Sequence, residues 1–218
     1  MRTIHGHCVC ETLEEVLAPD GCAVLVVDVQ NDAMRPDGKL AQAHNNVSAM
    51  IEVLPRCAAF VRWAREFRVE VIHVQTLTLA EGRSDSPSWL RAKGTIVNET
   101  GFFLEGTWGA EICEEVAPVP GEPVVVKHRS SAFVGTNMDL LLRARDVRTV
   151  IVIGEQTPGC IEATYRHAAY YDYYNVLAED CVAAFDQAQH EASLLIQRRR
   201  HDVTTSDRIL SIWAGARG

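Results

Sequence analysis

The stretch VIVIGEQTPGCIEATYRHA, residues 150–168, begins with the pattern of a buried strand and continues with the pattern of a helix. Four β-branched residues run into Gly154, and a polar Glu-Gln-Thr segment then leads to Pro158, Gly159 and Cys160. A β-branched run of this kind is typical of a strand buried on both faces. Proline is tolerated in the first turn of a helix, because its missing N–H would find no partner there. The stretch therefore predicts a strand, a tight turn and a helix that carries a thiol in its first turn.

Similar apolar runs recur along the chain, with helical patterns between them. The expected strands lie at 23–29, 69–74, 123–128, 147–154 and 173–180, with a short sixth strand at 201–204. The expected helices lie at 44–67, where Pro55 breaks or kinks the helix, at 137–145, 160–171 and 187–200, and from about residue 206. Alternating strands and helices predict right-handed βαβ units. We therefore expect a single three-layer α/β/α domain of the doubly wound type, with a mainly parallel sheet of about six strands. This domain would span 20–218, after an N-terminal extension at 1–19.

The composition is that of a globular protein without a strongly basic surface. Hydrophobic residues make up 47% of the 218 residues and the formal net charge is -8, which argues against nucleic acid or an anionic membrane as a partner. No apolar window reaches the roughly 18 residues of a membrane span, and the N-terminus lacks the apolar core of a signal peptide. The seven scattered cysteines are unlike the dense disulfide framework of small secreted domains. We expect a cytoplasmic protein whose cysteines are mostly reduced.

Residues 76–122 interrupt the alternation of strands and helices. The segment carries glycines, prolines and aromatic residues but little periodicity. A segment of this length without secondary structure is uncommon in a compact domain and often forms a lid or one wall of a binding site. The alternative is a surface segment packed by its own aromatic residues or against another subunit, and the sequence does not separate the two.

Three chemically complementary residues are expected at the carboxyl ends of strands, where open parallel sheets bind their ligands. Asp28 ends the first apolar run, Lys127 ends the run 123–127, and Cys160 follows the run 150–153. Taken singly, they are explained as a cap or turn residue, a snorkelling lysine and a core cysteine. Taken together, they describe an activated nucleophile. The helix N-terminus and the lysine lower the pKa of the thiol, and the aspartate shuttles its proton.

These residues resemble the isochorismatase-like cysteine hydrolases. The resemblance rests, in chain order, on AVLVVDVQNDAM (23–34), VVVKHRSSAF (124–133), the stretch 150–168 and LAEDCVAAFD (177–186). It covers roughly residues 20–205. It implies that Asp28, Lys127 and Cys160 form a catalytic triad. It also implies that the thiolate attacks an amide or ureido carbonyl, that ammonia or an amine leaves, and that water hydrolyses the resulting thioester.

The resemblance also gives the turn a role. It implies a cis peptide bond between Glu155 and Gln156, and an oxyanion hole formed by the backbone N–H groups of Gln156 and Cys160. It implies no cofactor. Nicotinamidases of the family carry an Asp-x-His and further histidines that hold a metal, whereas the second strand here ends HVQTLTLAEG (73–82), so we expect no metal. Isochorismatases that cleave a vinyl ether generally lack the nucleophilic cysteine, so Cys160 favours hydrolysis of an amide or ureido bond.

Three segments look most like family members that act on linear ureido compounds, such as ureidoacrylate, biuret, triuret or N-carbamoyl amino acids. They are SDSPSWLRAKG (84–94), EGTWGAEI (105–112) and KHRSSAF (127–133). The candidate substrate contacts are Gln156, Arg129, Trp108, Phe133 and Ala33. The side-chain amide of Gln156 could bind a urea group, and the guanidinium of Arg129 could donate several hydrogen bonds to a substrate carboxylate or carbonyl. Trp108 and Phe133 could form walls of the pocket. Ala33 could widen the pocket, since relatives commonly have an aromatic residue at this position. An ion pair for Arg129 and core packing for the three apolar residues remain open as alternatives.

Other features have plainer explanations. The segment HGHCVC (5–10) lacks the ligand spacing of structural zinc sites and is expected to be an N-terminal strand or extension. His73 and His128 are expected to be hydrogen-bonded structural residues. Two alternatives to a ureido hydrolase remain open: a nicotinamidase-like carboxamide hydrolase, and a thiol-based redox or ligand-binding protein in which Cys181 resolves Cys160. The family often forms dimers or tetramers, so the resemblance implies a homo-oligomer that acts on a small molecule.

Overall fold

The computed structural model describes residues 1–44 and 46–216, apart from the side chains of Ile96, Val97 and Thr100. Residue 45 of the expected helix 44–67 and residues 217–218 of the expected domain lie outside the described residues. No helix within the described ranges is long and apolar enough to cross a lipid bilayer.

The centre of the protein is a parallel sheet of six strands. The strands of the chain are β1 (Arg2–Ile4), β2 (His7–Val9), β3 (Cys22–Val27), β4 (Glu70–Thr76), β5 (Val124–Lys127), β6 (Thr149–Glu155), β7 (Tyr174–Ala183) and β8 (Asp202–Thr204). The six-stranded sheet has the order β5-β4-β3-β6-β7-β8, and all its neighbouring pairs run parallel. The predicted doubly wound α/β fold is therefore confirmed.

Helices connect the strands and cover the sheet. They are α1 (Leu13–Val16), α2 (Asn31–Met34), α3 (Lys39–His44), α4 (Ser48–Glu66), α5 (Pro87–Lys93), α6 (Thr95–Thr100), α7 (Met138–Arg143), α8 (Glu162–Tyr170), α9 (Gln187–Gln197) and α10 (Ser206–Gly215). Of the two expected effects of Pro55, a break or a kink, the break does not occur: α4 continues through this residue. Buried Leu54, Cys57 and Ala58 hold this part of the helix against the core, and tertiary packing outweighs the missing hydrogen bond.

Successive residues of each strand face opposite helical layers. In β3, Val24 and Val26 belong to one apolar core with Phe60 of α4 and Trp213 of α10. Ala23 and its alternate neighbours belong to a second core, which α7 and α8 cover. A sheet covered on both faces needs an apolar side chain at nearly every position, and all six residues of β3 are buried. This requirement explains the continuous apolar runs of the sequence.

The segment 76–122 contains more regular structure than its sequence predicts. Besides α5 and α6 it has three single 3₁₀ turns, at Ala80–Gly82, Trp108–Ala110 and Glu114–Val116. These elements are too short to give a periodic pattern. Helix α5 nevertheless begins with a standard local signal, because Ser86 accepts a hydrogen bond from the Trp89 N–H and proline occupies the first turn.

The Gln-Asn-Asp sequence after β3 fastens this segment to the sheet. The side-chain amide of Gln30 donates to the carbonyl oxygens of Thr76, at 2.9 Å, and Ala110, at 2.7 Å. The neighbouring carboxylate, that of Asp32, is buried and accepts hydrogen bonds from the backbone N–H groups of Lys39 and Phe103. Buried polar groups need such partners, so these residues determine how the segment lies across the carboxyl edge of the sheet.

Residues 1–19 lie outside the six-stranded sheet. Strands β1 and β2 pair antiparallel in a separate hairpin, and the segment HGHCVC forms its turn and second strand. A capping box at Thr12 and Glu15 begins α1. One contact of this region with the sheet is the hydrogen bond from the Cys10 N–H to the hydroxyl of Tyr174, at 3.0 Å.

Candidate active site

Asp28, Lys127 and Cys160 meet at the carboxyl edge of the sheet, beside the point where strand order reverses between β3 and β6. The ammonium Nζ of Lys127 lies 2.8 Å from Oδ2 of Asp28 and 3.2 Å from Sγ of Cys160. Asp28 follows β3 with a positive φ of 55°, which turns the chain away from the sheet. Lys127 is the last residue of the edge strand β5, and its side chain is buried. One cation thus lies between a carboxylate and a thiol.

Thr76 completes this arrangement, and sequence reasoning did not identify it. It is the last residue of β4 and the register partner of Lys127. Its hydroxyl accepts a hydrogen bond from Lys127 Nζ at 2.7 Å and donates one to Oδ1 of Asp28 at 2.9 Å. The signal that could have found it is its position, because a polar residue that ends a buried parallel strand lies at the binding edge of the sheet.

The protonation of the site differs from the expectation. Burial opposes the charge of Lys127, but the neighbouring Asp28 carboxylate raises the pKa of this lysine above its ordinary value. Burial also raises the pKa of the Cys160 thiol, the Asp28 carboxylate raises it further, and Lys127 opposes them only in part. The pKa of the thiol is therefore shifted upwards, against the lowering that the sequence predicts, because Asp28 already balances the charge of the lysine. These surroundings favour the thiol form of Cys160.

The turn between β6 and α8 has an unusual backbone. The peptide bond between Glu155 and Gln156 is cis, and residues Thr157–Ile161 form a single π-helical turn before α8 begins. Gly154 has a φ of 116° and is the register partner of Val27, and a Cβ atom at this position would collide with the Val27 carbonyl. Only glycine fits such a close approach of two strands. The turn thereby places Cys160 opposite the end of β3.

Helix α9 supports the turn from behind. The hydroxyl of Thr157 lies 2.8 Å from Nδ1 of His190, and the hydroxyl of Ser193 donates to the Thr157 carbonyl at 3.3 Å. The same Ser193 hydroxyl lies 2.6 Å from Oε2 of Glu162 in the first turn of α8, so its single proton is shared between the two acceptors. These contacts fix the backbone on both sides of Cys160.

A cavity of about 810 Å³ opens above the three residues. Asp28, Lys127, Cys160 and Gln156 form its floor at the sheet. The segment 76–122 supplies much of the opposite wall, including Leu77, Thr78, Ser84, Asp85, Trp89, Ala92, Lys93, Phe102 and Phe103. The volume lies in the range of small-molecule sites, and the lining combines apolar surface with a few polar groups. The interpretation of 76–122 as a wall of the site is therefore supported.

Arg129 lies in this wall, held by backbone and aromatic contacts. Its Nη1 donates to the carbonyl oxygens of Ser84, at 2.9 Å, and His128, at 2.6 Å. Its guanidinium carbon lies 5.0 Å from the centre of the Trp89 ring, which is a cation–π distance. A second cation of the wall, Lys93, forms a largely buried ion pair with Asp85 at 2.8 Å. Besides Lys127 in the floor, the cavity therefore has in its wall one cation balanced by a carboxylate and one balanced by carbonyl oxygens and an aromatic ring.

Comparison with known proteins agrees with this geometry. The Isochorismatase domain family matches residues 22–207. The chain belongs to the isochorismatase family. It is 31% identical over 176 residues to a ureidoacrylate amidohydrolase RutB of Agrobacterium fabrum, covering 75% of this chain and 76% of that protein.

Two solved structures of the isochorismatase family extend the comparison. An isochorismatase family protein from Desulfovibrio vulgaris superposes with a TM-score of 0.76 at 31% identity, covering 89% of this chain and 98% of that one. An N-carbamoylsarcosine amidase from Thermoplasma acidophilum superposes with a TM-score of 0.68 at 28% identity, covering 85% and 96% of the two chains. The predicted family and the predicted class of amidohydrolase are thereby confirmed.

Three of the expected substrate contacts of this isochorismatase-family chain lie away from the cavity. Trp108 is in a 3₁₀ turn and 47% of its surface is exposed to solvent. Phe133 is buried in the second core and stacks on Tyr171, with ring centres 5.2 Å apart. Ala33 in α2 is fully buried in the first core. None of the three residues lines the cavity, because the apolar side chains of Phe133 and Ala33 are packed into the helical layers and Trp108 faces solvent, so the structure does not support their predicted contact with substrate.

The histidines considered in the sequence have structural contacts. His73 is buried, and its Nε2 lies 2.8 Å from Oε2 of Glu122, which also pairs with Arg65. His128 Nδ1 lies 2.7 Å from the carbonyl oxygen of Leu77. Among the residues that the structure describes, no group of three or more histidine, cysteine, aspartate or glutamate side chains is arranged to hold a metal ion.

The redox alternative finds no support in the position of Cys181. This cysteine lies in the first core, whereas Cys160 packs against the second core on the opposite face of the sheet. The Cys181 carbonyl accepts a hydrogen bond from Sγ of Cys57 at 3.2 Å, also within the first core. A resolving thiol must reach the sulfur that it attacks, and the sheet separates these two residues.

Proposed function

We propose that the protein hydrolyses the C–N bond of a linear ureido substrate, or of a related linear amide, through a cysteine thioester. The observation that carries the proposal is the contact of Lys127 with both Asp28 and Cys160 on the floor of a small-molecule cavity. The names of the relatives support a ureido substrate, because one is a ureidoacrylate amidohydrolase and another an N-carbamoylsarcosine amidase.

The first step is the transfer of the Cys160 proton to Asp28 as the thiol attacks the substrate carbonyl. This transfer does not change the net charge of the buried site, since a carboxylate becomes neutral as the sulfur becomes anionic. Lys127, which contacts both atoms, stabilises the negative charge on either side of the transfer. A pKa of Cys160 above its ordinary value is compatible with catalysis for this reason, because thiolate needs to form only at the moment of attack.

The attack forms an S–C bond and places negative charge on the carbonyl oxygen. We propose that the backbone N–H groups of Gln156 and Cys160 donate to this oxygen. Asp28 then returns its proton to the leaving nitrogen, the C–N bond breaks, and ammonia or an amine departs. A water molecule, deprotonated by Asp28, attacks the thioester, and cleavage of the S–C bond releases the acid and restores the thiol.

The remaining parts of the proposal concern binding and assembly. Arg129 and Gln156 line the cavity and are our candidates for contacts with the substrate. We propose a cytoplasmic homo-oligomer, which is supported by seven free cysteines and by the exposed valines 124 and 126 on the edge strand β5. Light scattering after size-exclusion chromatography would test the oligomer, and a monomeric mass would contradict it.

An ammonia-release assay tests the reaction. The protein is incubated with N-carbamoylglycine, biuret, triuret and ureidoacrylate on one arm, and with nicotinamide and linear carboxamides on the other. Release of ammonia from the first arm, together with a mass increase on the peptide containing Cys160 after acid quenching, is the expected result. Ammonia from nicotinamide alone would favour the nicotinamidase-like alternative, and no ammonia from any compound would contradict the proposal.

A further inference from the structure

Glu155 is a buried carboxyl group of the active-site cavity that the mechanism does not use. It is the last residue of β6, only 3% of its surface is exposed, and it lines the cavity together with the triad. Within the described residues, its Oε2 atom has no hydrogen-bond partner. Buried polar atoms without a partner are rare, and one at the edge of a binding site indicates that a ligand supplies the partner.

The charges around Glu155 favour its neutral form. Lys127 is the ammonium that contacts the triad, and Asp28 balances it at 2.8 Å. A second carboxylate beside this pair would leave an uncompensated negative charge in a buried site. Burial raises the pKa of Glu155 well above its ordinary value, the charge of Asp28 adds to the effect, and Lys127 opposes it only in part. Burial and the neighbouring Asp28 carboxylate thus both favour the protonated form of Glu155.

Other ionisable groups lie on the elements around Glu155, and each has contacts of its own. On the elements around it they are Cys160 on the π-helical turn, His190 on α9 bonded to Thr157, His44 at the end of α3, Cys57 on α4 bonded to Cys181, and the Lys93–Asp85 pair with Arg129 and His128 in the wall of the cavity. The contact with Cys181 and burial raise the pKa of Cys57, and burial lowers the pKa of both His44 and His190, so all three shifts favour the neutral form. They provide no cation that would hold Glu155 ionised.

A neutral carboxyl group has both a donor and an acceptor, whereas an ionised one only accepts. A neutral Glu155 can therefore accept a hydrogen bond from a substrate N–H group. Because it carries no charge, it does not repel the negative charge that develops on the sulfur and on the attacked carbonyl oxygen. Glu155 directly precedes Gln156, whose N–H we assign to that oxygen, so it lies beside the substituents of the reacting carbonyl. A ureido substrate differs from a simple carboxamide in one such substituent, because it has a second nitrogen there.

We propose that Glu155 is a specificity-determining residue that, as a neutral carboxylic acid, accepts a hydrogen bond from the second nitrogen of a ureido substrate. This inference rests on the proposed function. It predicts a preference for ureido compounds over carboxamides of the same shape.

Two substrates that differ only at this nitrogen test the inference. N-Carbamoylglycine and succinamate have the same chain length, the same carboxylate and the same terminal carboxamide, with N–H in the first replaced by CH₂ in the second. The measured quantity is the ratio of their kcat/KM values. Loss of a buried hydrogen bond lowers this ratio by about 10-fold in Glu155→Met, whereas Glu155→Gln, which keeps an uncharged donor and acceptor, keeps the ratio within about 3-fold of the wild type.

Gln197→Met is the matched control. Gln197 is also buried, and neither polar atom of its side chain has a hydrogen-bond partner in the described part of the chain, but it lies at the end of α9 and does not line the cavity. Its substitution removes a buried polar group without touching substrate, so the ratio should stay at the wild-type value. A lower ratio in this control would show that the ratio also falls when a buried polar group outside the cavity is removed, so that a fall in Glu155→Met would not support the inference.

A second pair of measurements reports the protonation state of Glu155. They use Glu155→Gln and therefore test the inference even if Glu155→Met does not fold. The infrared difference spectrum of wild type minus Glu155→Gln at pH 7 should contain the carbonyl band of a protonated carboxylic acid. The alkaline decline of kcat/KM for N-carbamoylglycine should move to higher pH in Glu155→Gln, because the glutamine cannot ionise.

The outcomes separate the inference from the proposed function. If the wild type releases ammonia from neither substrate nor from the other ureido compounds, the proposed function fails. If the wild type is active but its ratio is near one, or if Glu155→Met keeps the wild-type ratio, the inference is overturned while the function stands. Absence of the carboxylic acid band would likewise overturn it.

Discussion

Replacement of Thr76 by valine removes one hydroxyl from the centre of the active site and preserves its shape. This hydroxyl accepts a hydrogen bond from Lys127 at 2.7 Å and donates one to Asp28 at 2.9 Å. Hydrogen bonds to charged groups contribute about 1.5 to 3 kcal/mol each. Lys127 and Asp28 keep their direct contact of 2.8 Å in the variant, so the net loss is closer to one such bond than to two.

A loss of about 2 to 3 kcal/mol in the positioning of the pair corresponds to a fall in kcat/KM of about 30- to 150-fold. The fall should be in kcat more than in KM, because the hydroxyl orders the proton shuttle rather than the substrate. The assay is ammonia release from the best ureido substrate of the panel, with initial rates measured across a range of substrate concentrations.

Thr149→Val provides the matched control for stability. Thr149 is the first residue of β6 and so lies at the opposite edge of the sheet from Thr76; it is buried, and its hydroxyl donates to the Val16 carbonyl at 2.6 Å. Its substitution should lower the free energy of unfolding by about 1 to 2 kcal/mol, or the Tm by about 2 to 8 °C, without changing kcat/KM. If Thr76→Val stayed within about 3-fold of the wild type in kcat/KM, the hydroxyl would have no part in positioning the pair.

Three further predictions follow from the site and its supports. Cys160→Ser should reduce turnover by at least about 1000-fold with an unchanged circular dichroism spectrum, since a serine hydroxyl is a far weaker nucleophile here; ordinary activity would contradict the mechanism. Hydrogen bonds from Arg65 and His73 lower the pKa of Glu122 to about 2 against the opposing effect of burial. Because this pKa lies below the ordinary value of 4.5, the stabilisation is complete above about pH 4.5 and is lost as the pH falls towards 2. Urea unfolding should show Glu122→Gln to be less stable by on the order of 3 kcal/mol at pH 6 but little different at pH 2, and an equal difference at both pH values would contradict the assignment. Lys93→Met should leave Asp85 unpaired in the cavity wall and raise KM at least about 5-fold, and an unchanged KM together with an unchanged Tm would show that the pair does not hold α5 over the site.

The sequence predicted the layers and the reactive residues because both depend on local pattern. The run Val150 to Ile153 has the pattern of a strand buried on both faces, and the four other long apolar runs have the same pattern. Strands of this kind indicate a parallel sheet that helices cover on both sides. Asp28 and Lys127 could be found because each follows such a run, and the ends of parallel strands share one edge.

The short elements of 76–122 could not be predicted in the same way. Helix α5 has seven residues and the 3₁₀ turns three each, so their positions depend on contacts from elsewhere in the chain. Gln30 and Asp32 make these contacts with residues about 70 to 80 positions later in the chain, for example from Gln30 to Ala110 and from Asp32 to Phe103. The exposure of Trp108 and the burial of Phe133 follow from the same packing and were beyond the reach of local pattern.

The sequence by itself determined the family, the parallel sheet and the identity of the three residues at its carboxyl edge. The tertiary structure decided the electrostatic surroundings of those residues and their other partners. The pKa of Cys160 depends on its burial and on its distances from the charges of Asp28 and Lys127. Thr76 and Glu155 come next to these charges only because they end β4 and β6, which the sheet brings to the same edge. Electrostatic energies vary with distance and burial in three dimensions, and neither quantity is encoded in the order of residues along the chain.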